Sequence, residues 1–391
     1  MQVTIVGGGM IVHDQILPSF YQLQRLGLVD QIAVCAQHGR TLAALAASDL
    51  IRQAFPGQNF RAYPDTGRDP DQPHPDLFRE AIAAMPPRNL AMIALPDHLH
   101  FDAILTALHA NQHVLAVKPL VLKTAEAAAI EKEALQRGLF VGIEYHKRFD
   151  DRSLMARRKY RSGDFGEFRL GTAHLMEKWY YRHSNFQNWC TTENSDAFTY
   201  IGCHYVDLVH FITGLTPVSV SVHGIKDKYP NGREGYLWTD ARVIWSNGAC
   251  LNVQNSLSFP DAAPGTNSQG LTLYCAGAGK GGLLRHSDQY RGVEHVYIGN
   301  AAAYAEPSPD YFQYVDLGGG GLTPVGYGYR SIEYLYRCCL KVESAADRRQ
   351  AIREIDQQEM AATPANSRHN EQVIEAARKS IQSDGQQVPT I

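Results

Sequence analysis

Val3-Thr4-Ile5-Val6-Gly7-Gly8-Gly9 is the stretch on which the fold turns. Four apolar or β-branched residues read as a buried strand, and three glycines follow before Ile11–Gly27, whose apolar residues recur at helical spacing. A strand that turns through glycines into a helix N-terminus offers backbone N–H groups and the positive helix end to a dinucleotide pyrophosphate. A glycine turn ahead of any helix looks similar. The G-x-G-x-x-G spacing is also incomplete, because Val12 stands at the third small position.

Outward from that stretch the same grammar repeats. Ile32–Ala36, Leu90–Leu95, His113–Ala116 and Leu139–Ile143 read as strands, and Arg40–Phe55, Phe101–Ala110 and Glu126–Arg137 as helices. This alternation calls for a parallel, doubly wound sheet. After about Tyr145 the pattern changes. A helix at Asp151–Ser162 gives way to strands at Gly166–Leu175, Val218–Val222, Leu237–Trp245, Ala249–Leu257 and Leu271–Cys275, with a hairpin signal at Ser246-Asn247-Gly248. One helix, Phe198–Thr213, interrupts them and stops at Gly214. Pro264–Gly270, Gly277–Gly282 and Gly318–Gly321 read as loops. The expected fold class is α/β plus α+β: an N-terminal Rossmann domain over residues 1–145, then a domain of mostly antiparallel sheet with helices on one face over 146–391.

A chain of 391 residues is too long for one ordinary core, in keeping with two domains. With 44% hydrophobic and 20% charged residues it has the balance of a soluble globular protein. A net charge of -3 gives no reason to expect a nucleic-acid or membrane partner, and the basic run Arg157–Arg161 reads as a solvated helix face. The 7 cysteines show no CxxC or zinc spacing, so reduced thiols and a cytoplasmic location are expected. No apolar run reaches the roughly 20 residues a membrane span needs. Met1–Val6 enters the first strand at once, so no targeting segment is expected. His98 and His100 have no carboxylate or cysteine cluster beside them, which favours polar roles over a metal site.

At the tip of the second strand, Val34-Cys35-Ala36-Gln37-His38-Gly39-Arg40 contains no acid to hold ribose hydroxyls. His38 and Arg40 suit a 2′-phosphate, or are solvated loop residues, so NAD and NADP both stay open.

Three further stretches carry a resemblance. They are Ala94-Leu95-Pro96-Asp97-His98-Leu99-His100, then Ala107-Leu108, then His113-Val114-Leu115-Ala116-Val117-Lys118-Pro119-Leu120. In spacing and order they resemble the T-P-N-x-x-H, A-L-x-x-G-K-H-V and E-K-P-L of the Gfo/Idh/MocA family of sugar and polyol oxidoreductases. Arg148-Phe149, Ser162–Glu167, Gly202-Cys203-His204-Tyr205-Val206-Asp207 and the helix Val373–Ser380 are similar to later motifs of that family. The resemblance therefore spans nearly the whole chain. It implies hydride transfer between NAD or NADP and a hydroxyl of a sugar, inositol or related polyol. It puts His204 at the catalytic histidine, suited to taking the hydroxyl proton, and Lys118 at the lysine that would hydrogen-bond the reacting oxygen. The implied cofactor set is Gly7, Gly9, Met10, Ile11, Ala36, His38, Arg40, Leu95, Pro96, Asp97, His100, Lys118 and Pro119. The implied substrate set is Lys118, Tyr145, Arg148, Trp179, Tyr180, Asn188, Tyr200 and His204.

The departures are specific. Val117 replaces the glutamate of E-K-P, and Tyr200 replaces the aspartate four residues before the histidine. Asp196 is placed to cap the helix. Tyr200 either substitutes in the proton relay as a third catalytic group or bounds the pocket. Trp179-Tyr180-Tyr181-Arg182-His183 through Asn188-Trp189 offers ring faces and hydrogen bonds to a sugar, or packs locally. Loss of two acids keeps open a glycosidase or epimerase that oxidises transiently with tightly bound NAD, and a non-enzymatic sugar or nucleotide sensor. Self-association as a homodimer or homotetramer through the uncovered face of the second sheet is also expected.

Overall fold

In the computed structural model of the protein, Val3–Val6 is β1, near the middle of a six-stranded parallel sheet. Residues 1–390 are described, apart from 66, 68, 264, 278–279, 288–295, 299–301 and 305–309. The other strands are β2 (Ile32–Cys35), β3 (Arg61–Tyr63), β4 (Leu90–Ile93), β5 (His113–Val117) and β6 (Val141–Glu144), in the order β3-β2-β1-β4-β5-β6. In this doubly wound order the chain runs outward from β1 on one side and resumes at β4 on the other, which opens a crevice past their carboxyl ends. Every residue of β1 and β4 is buried, as a sheet covered on both faces requires.

The chain divides into two compact units, and the later part of the chain contributes to both. The first unit is Met1–Val121, Ala125–His146 and Phe312–Asn366. The returning segment belongs there because its helix Tyr327–Ser344 buries Ile332, Leu335, Tyr336, Cys339 and Val342 in one core with Ile5, Phe20 and Leu115. Within this unit the expected helix Arg40–Phe55 is two, Gly39–Ala46 and Asp49–Ala54, because Ser48 caps the second by accepting from the Ile51 N–H.

The second unit is Leu122–Thr124, Lys147–Tyr311 and Ser367–Ile391. Its sheet contains β7 (Glu167–Lys178), β8 (Pro217–Lys228), β9 (Glu234–Trp245), β10 (Cys250–Phe259), β11 (Asn267–Gly277) and β12 (Lys280–His286). They lie in the order β12-β11-β7-β10-β9-β8, followed by the short strand Val388–Pro389. Only β7 and β10 run parallel among these pairs. Gly248, at φ +80°, turns β9 into β10 as the Asn-Gly pair predicts. Two expected loops are in part strand: β11 covers most of Pro264–Gly270, and β12 begins within Gly277–Gly282, while 264, 278 and 279 lie outside the described residues. Inward residues alternate along β9, whereas Leu170, Tyr274 and Leu283 stand exposed in register across β7, β11 and β12. No helix among the described residues is long and apolar enough to cross a membrane, and none of the cysteines forms a disulfide among those residues.

Candidate active site

In the first unit the sequence-predicted cofactor residues gather at the carboxyl edge of the sheet. Gly7 leaves β1 at φ +125°, and a Cβ there would stand 2.1 Å from the Ala94 carbonyl oxygen beyond β4, so the turn requires glycine. A Cβ on Gly9 would meet nothing within 4 Å. Val12 and His13 N–H groups both donate to the Gly9 carbonyl, at 3.0 and 3.2 Å, so the helix starts on Gly9. The N–H groups of its first turn, at Met10 and Ile11, precede the helical ladder. A diphosphate suits this cradle of open backbone and helix N-terminus. Val12, at the third small position, is buried in the core and does not narrow the loop.

At the β2 tip, Ala36 donates to the Tyr63 carbonyl at 2.9 Å, and His38 is half-buried. Arg40 donates from Nη1 to Asp71 Oδ1 at 2.8 Å and from its backbone to the Pro70 carbonyl at 3.0 Å. Asp71 is an acid at this tip that the reading of β2 alone could not supply. It arrives from the segment after β3, a strand of three residues too short for periodicity to reveal.

Leu95 and Pro96 follow β4 half-buried, and Asp97 is buried. His100, expected to touch cofactor, has no exposed surface. Its Nδ1 lies 2.9 Å from the Pro119 carbonyl and its Nε2 lies 2.8 Å from the Leu95 carbonyl. It clamps the loops after β4 and β5 together rather than facing a ligand. Lys118 follows β5 directly and is 8% exposed, and the Lys118-Pro119 bond is cis. Tyr145, just past β6, is buried.

Sequence reasoning missed a polar cluster at the same edge. Glu144, the last residue of β6, lies in register with Val117 and accepts from Gln15 Nε2 at 2.8 Å and Ser331 Oγ at 2.5 Å. Its other oxygen faces His146 Nδ1 at 3.0 Å. The available signal was Glu144-Tyr145-His146 itself, polar groups placed directly after an apolar strand.

In the second unit, His204 is the second residue of the helix Cys203–Thr213 and is 6% exposed. The preceding turn, Phe198–Gly202, is π-helical, and Asp196 caps its start by accepting from the Thr199 N–H at 2.8 Å and hydroxyl at 2.7 Å. A Cβ on Gly202 would lie 2.6 Å from Asn255 Oδ1, so glycine lets the helix start close against β10. Tyr200 packs edge-on against Phe186 at 4.7 Å and Trp189 at 5.5 Å. Burial holds the neighbouring Tyr181 phenol protonated, well above its usual range. Trp179 and Tyr180 are exposed, and the Arg182 guanidinium lies 3.9 Å from the Trp179 ring centroid. Asn188 is exposed, its amide donating to Asn185 Oδ1 at 2.9 Å.

Arg148 departs from its expected substrate role. It is 1% exposed, and its Nε and Nη2 donate to both oxygens of Asp207, at 2.8 and 2.5 Å. Ser367 and Asn370 complete that buried group. A guanidinium so engaged braces the helix that carries His204.

Residues 1–145 match the Gfo/Idh/MocA profile, described as an oxidoreductase family with an NAD-binding Rossmann fold, and 153–276 match the profile of the Gfo/Idh/MocA C-terminal domain. An uncharacterized oxidoreductase of Schizosaccharomyces pombe is 29% identical over 34% of this chain and 35% of its own length. D-glucoside 3-dehydrogenase of Escherichia coli is 22% identical over 58% of each chain. The matches thus span only about a third to three fifths of these curated relatives. The whole chain superposes on GenD2 from gentamicin A biosynthesis in complex with NAD (TM-score 0.67, 19% identity, 96% of that chain). It also superposes on scyllo-inositol dehydrogenase from Lactobacillus casei with bound NAD(H) and scyllo-inositol (TM-score 0.65, 14% identity, 99% of that chain). At these identities the likeness carries the fold. Two domain profiles matched in order over more than half of the sequence carry the family: the chain belongs to the Gfo/Idh/MocA oxidoreductases.

Proposed function

We propose that the protein is an NAD(P)-dependent dehydrogenase acting on a hydroxyl of a sugar, inositol or related polyol. The observation that carries this reading is the carboxyl edge of the parallel sheet, where the Gly7–Gly9 turn, Leu95–Asp97 and Lys118 follow the adjacent strands β1, β4 and β5. The sugar and polyol names of the relatives support the substrate class.

NAD(P), when bound, supplies the hydride acceptor or donor. In this reading Gly7, Gly9, Met10 and Ile11 hold the pyrophosphate, and Ala36, His38 and Arg40 flank the adenosine ribose. Leu95, Pro96, Asp97 and Pro119 line the crevice between. Lys118 hydrogen-bonds the reacting oxygen and stabilises negative charge developing there. His204 takes the hydroxyl proton, with Tyr200 beside it in the relay. Trp179 and Tyr180 stack on the sugar, while Asn188 and Tyr145 contribute polar contacts. A second copy of the chain covers the exposed apolar row through Leu170, Tyr274 and Leu283, giving a homodimer or homotetramer.

The test is nicotinamide absorbance with NAD and NADP against a panel of polyols. Lys118→Ala and His204→Ala are each expected to lower kcat by about 10²–10⁴-fold with circular dichroism unchanged. Full activity in both variants would remove the catalytic assignment.

A further inference from the structure

Two kinds of group at the β2 tip are suited to the 2′-phosphate that distinguishes NADP from NAD. They are the Arg40 guanidinium and the N–H groups that open the helix Gly39–Ala46. The segment after β3 engages both. Arg40 Nη1 donates to Asp71 Oδ1 at 2.8 Å, and the Arg40 N–H donates to the Pro70 carbonyl at 3.0 Å. The next N–H, of Thr41, donates to the His38 carbonyl at 3.2 Å.

That segment is fastened to the tip at both ends. The Ala36 N–H donates to the Tyr63 carbonyl at 2.9 Å where it begins, and the His74 N–H donates to the Gln37 carbonyl at 2.7 Å where it leaves. Between them, a Cβ on Gly39 would stand 3.2 Å from Pro70 Cα, so the two backbones approach as closely as glycine permits. The turn that presents Asp71 is closed by its own N–H, which donates to Asp69 Oδ1 at 2.9 Å. This corner also lies against the glycine turn, because a Cβ on Gly8 would stand 2.9 Å from Thr41 Cγ2 and 3.1 Å from Ala36 Cβ.

The charges agree with the geometry. By sequence the corner carries Asp65, Asp69 and Asp71 against Arg40 and Arg68, a surplus of negative charge. An Arg–Asp pair as exposed as Arg40–Asp71 adds little to stability, so a bracing role explains little of it. Its effect on a ligand is larger. A 2′-phosphate brings about two negative charges, has to take Arg40 from Asp71, and then stands beside that carboxylate. A ribose diol brings no charge and donates hydrogen bonds, which a carboxylate accepts.

We propose that the protein selects NAD over NADP, and that Asp71, supplied by the segment after β3 rather than by β2, is the residue that sets this choice. It acts by holding Arg40 and through its own charge. The proposal deepens the dinucleotide-binding reading and rests on it.

The test is binding without turnover: the full chain is titrated with NADH and with NADPH, followed by the fluorescence of the reduced nicotinamide. NADH is expected to bind about tenfold tighter or more. Asp71→Asn, nearly equal in volume, removes the charge, and Asp71→Ala also releases Arg40. Each should narrow the ratio about fivefold or more, chiefly through a gain in NADPH affinity. Adding Arg40→Ala to Asp71→Ala should cancel that gain, because the released guanidinium is what takes the phosphate. NADPH binding as tight as NADH in the unaltered protein overturns the proposal. So does an unchanged ratio in both Asp71 variants, or an equal loss of both nucleotides with a lower melting temperature, which a mere fastener of the segment would give. Binding of neither nucleotide removes the dinucleotide reading itself, and the proposal with it.

Discussion

His113 and Lys118 sit at the two ends of β5, whereas His204 and Asp207 sit three residues apart on one helix. At the amino end of the parallel sheet, His113 accepts from the Phe140 N–H at 3.0 Å and faces Glu343 at 3.2 Å, and Arg88 grips the same carboxylate. At the carboxyl end lie Lys118, Glu144 and His146. The second unit has no such separation, because Asp207 is locked to Arg148 one turn beyond His204. A strand rising about 3.3 Å per residue sets two tasks apart by its length, while residues three apart on a helix share a face. Stability and chemistry should therefore separate between the two ends of β5, whereas loss of Asp207 should lower both.

The largest expected effect tests the coupled half. Asp207→Ala leaves a buried guanidinium without its carboxylate, which should cost about 3–5 kcal/mol in chemical denaturation. Turnover should drop as well, since the helix bearing His204 loses its anchor. A variant of unchanged stability would break the comparison.

The next effect tests the separated half. Burial, the leading cause, lowers the His113 pKa from 6.5 to about 4, against the raising effect of the Glu343 hydrogen bond. Between these values the folded imidazole stays neutral while the unfolded chain binds a proton. Stability is therefore full above 6.5 and falls as pH drops towards about 4, by about 3 kcal/mol in all. Urea unfolding across that window should show the slope, and His113→Gln should reduce it. Part will remain, because burial also holds His369 of the second unit well below its usual value. Nucleotide affinity near neutral pH should not change in His113→Gln, since the cradle is at the other end of the sheet.

The strands of both sheets were legible because their apolar residues follow the period that their burial imposes, continuous in β1 and β4 and alternating in β9. The return of Phe312–Asn366 to the first unit was not. Its helix buries one face at helical spacing, through Ser331, Leu335, Cys339 and Val342, but such spacing shows that a face is buried and not which core it joins. At the site, Gly7 and Lys118 were legible because chemistry and strand ends coincide in one short stretch. Asp71 and Ser331 were not, because each reaches its partner across a distance along the chain that only the folded topology closes. Arg148 failed as a substrate ligand because a motif records that a residue is needed without recording whether it faces the pocket or the core.

The smallest effect on stability is the sharpest test of the cradle, because it divides two neighbouring glycines. Gly7→Ala must place a Cβ 2.1 Å from a backbone oxygen at φ +125°, so β1 and β4 have to part at the point where they diverge. About 1–3 kcal/mol of stability should go, and nucleotide binding with it. Gly9→Ala meets nothing within 4 Å, so stability should stay within about 0.5 kcal/mol. Its methyl would nevertheless occupy the space a pyrophosphate needs, and calorimetry should show nucleotide affinity at least tenfold weaker. Loss of binding without loss of stability is what a cradle predicts and a mere turn does not. If Gly9→Ala binds NAD and NADP as the unaltered protein does, the dinucleotide lies elsewhere.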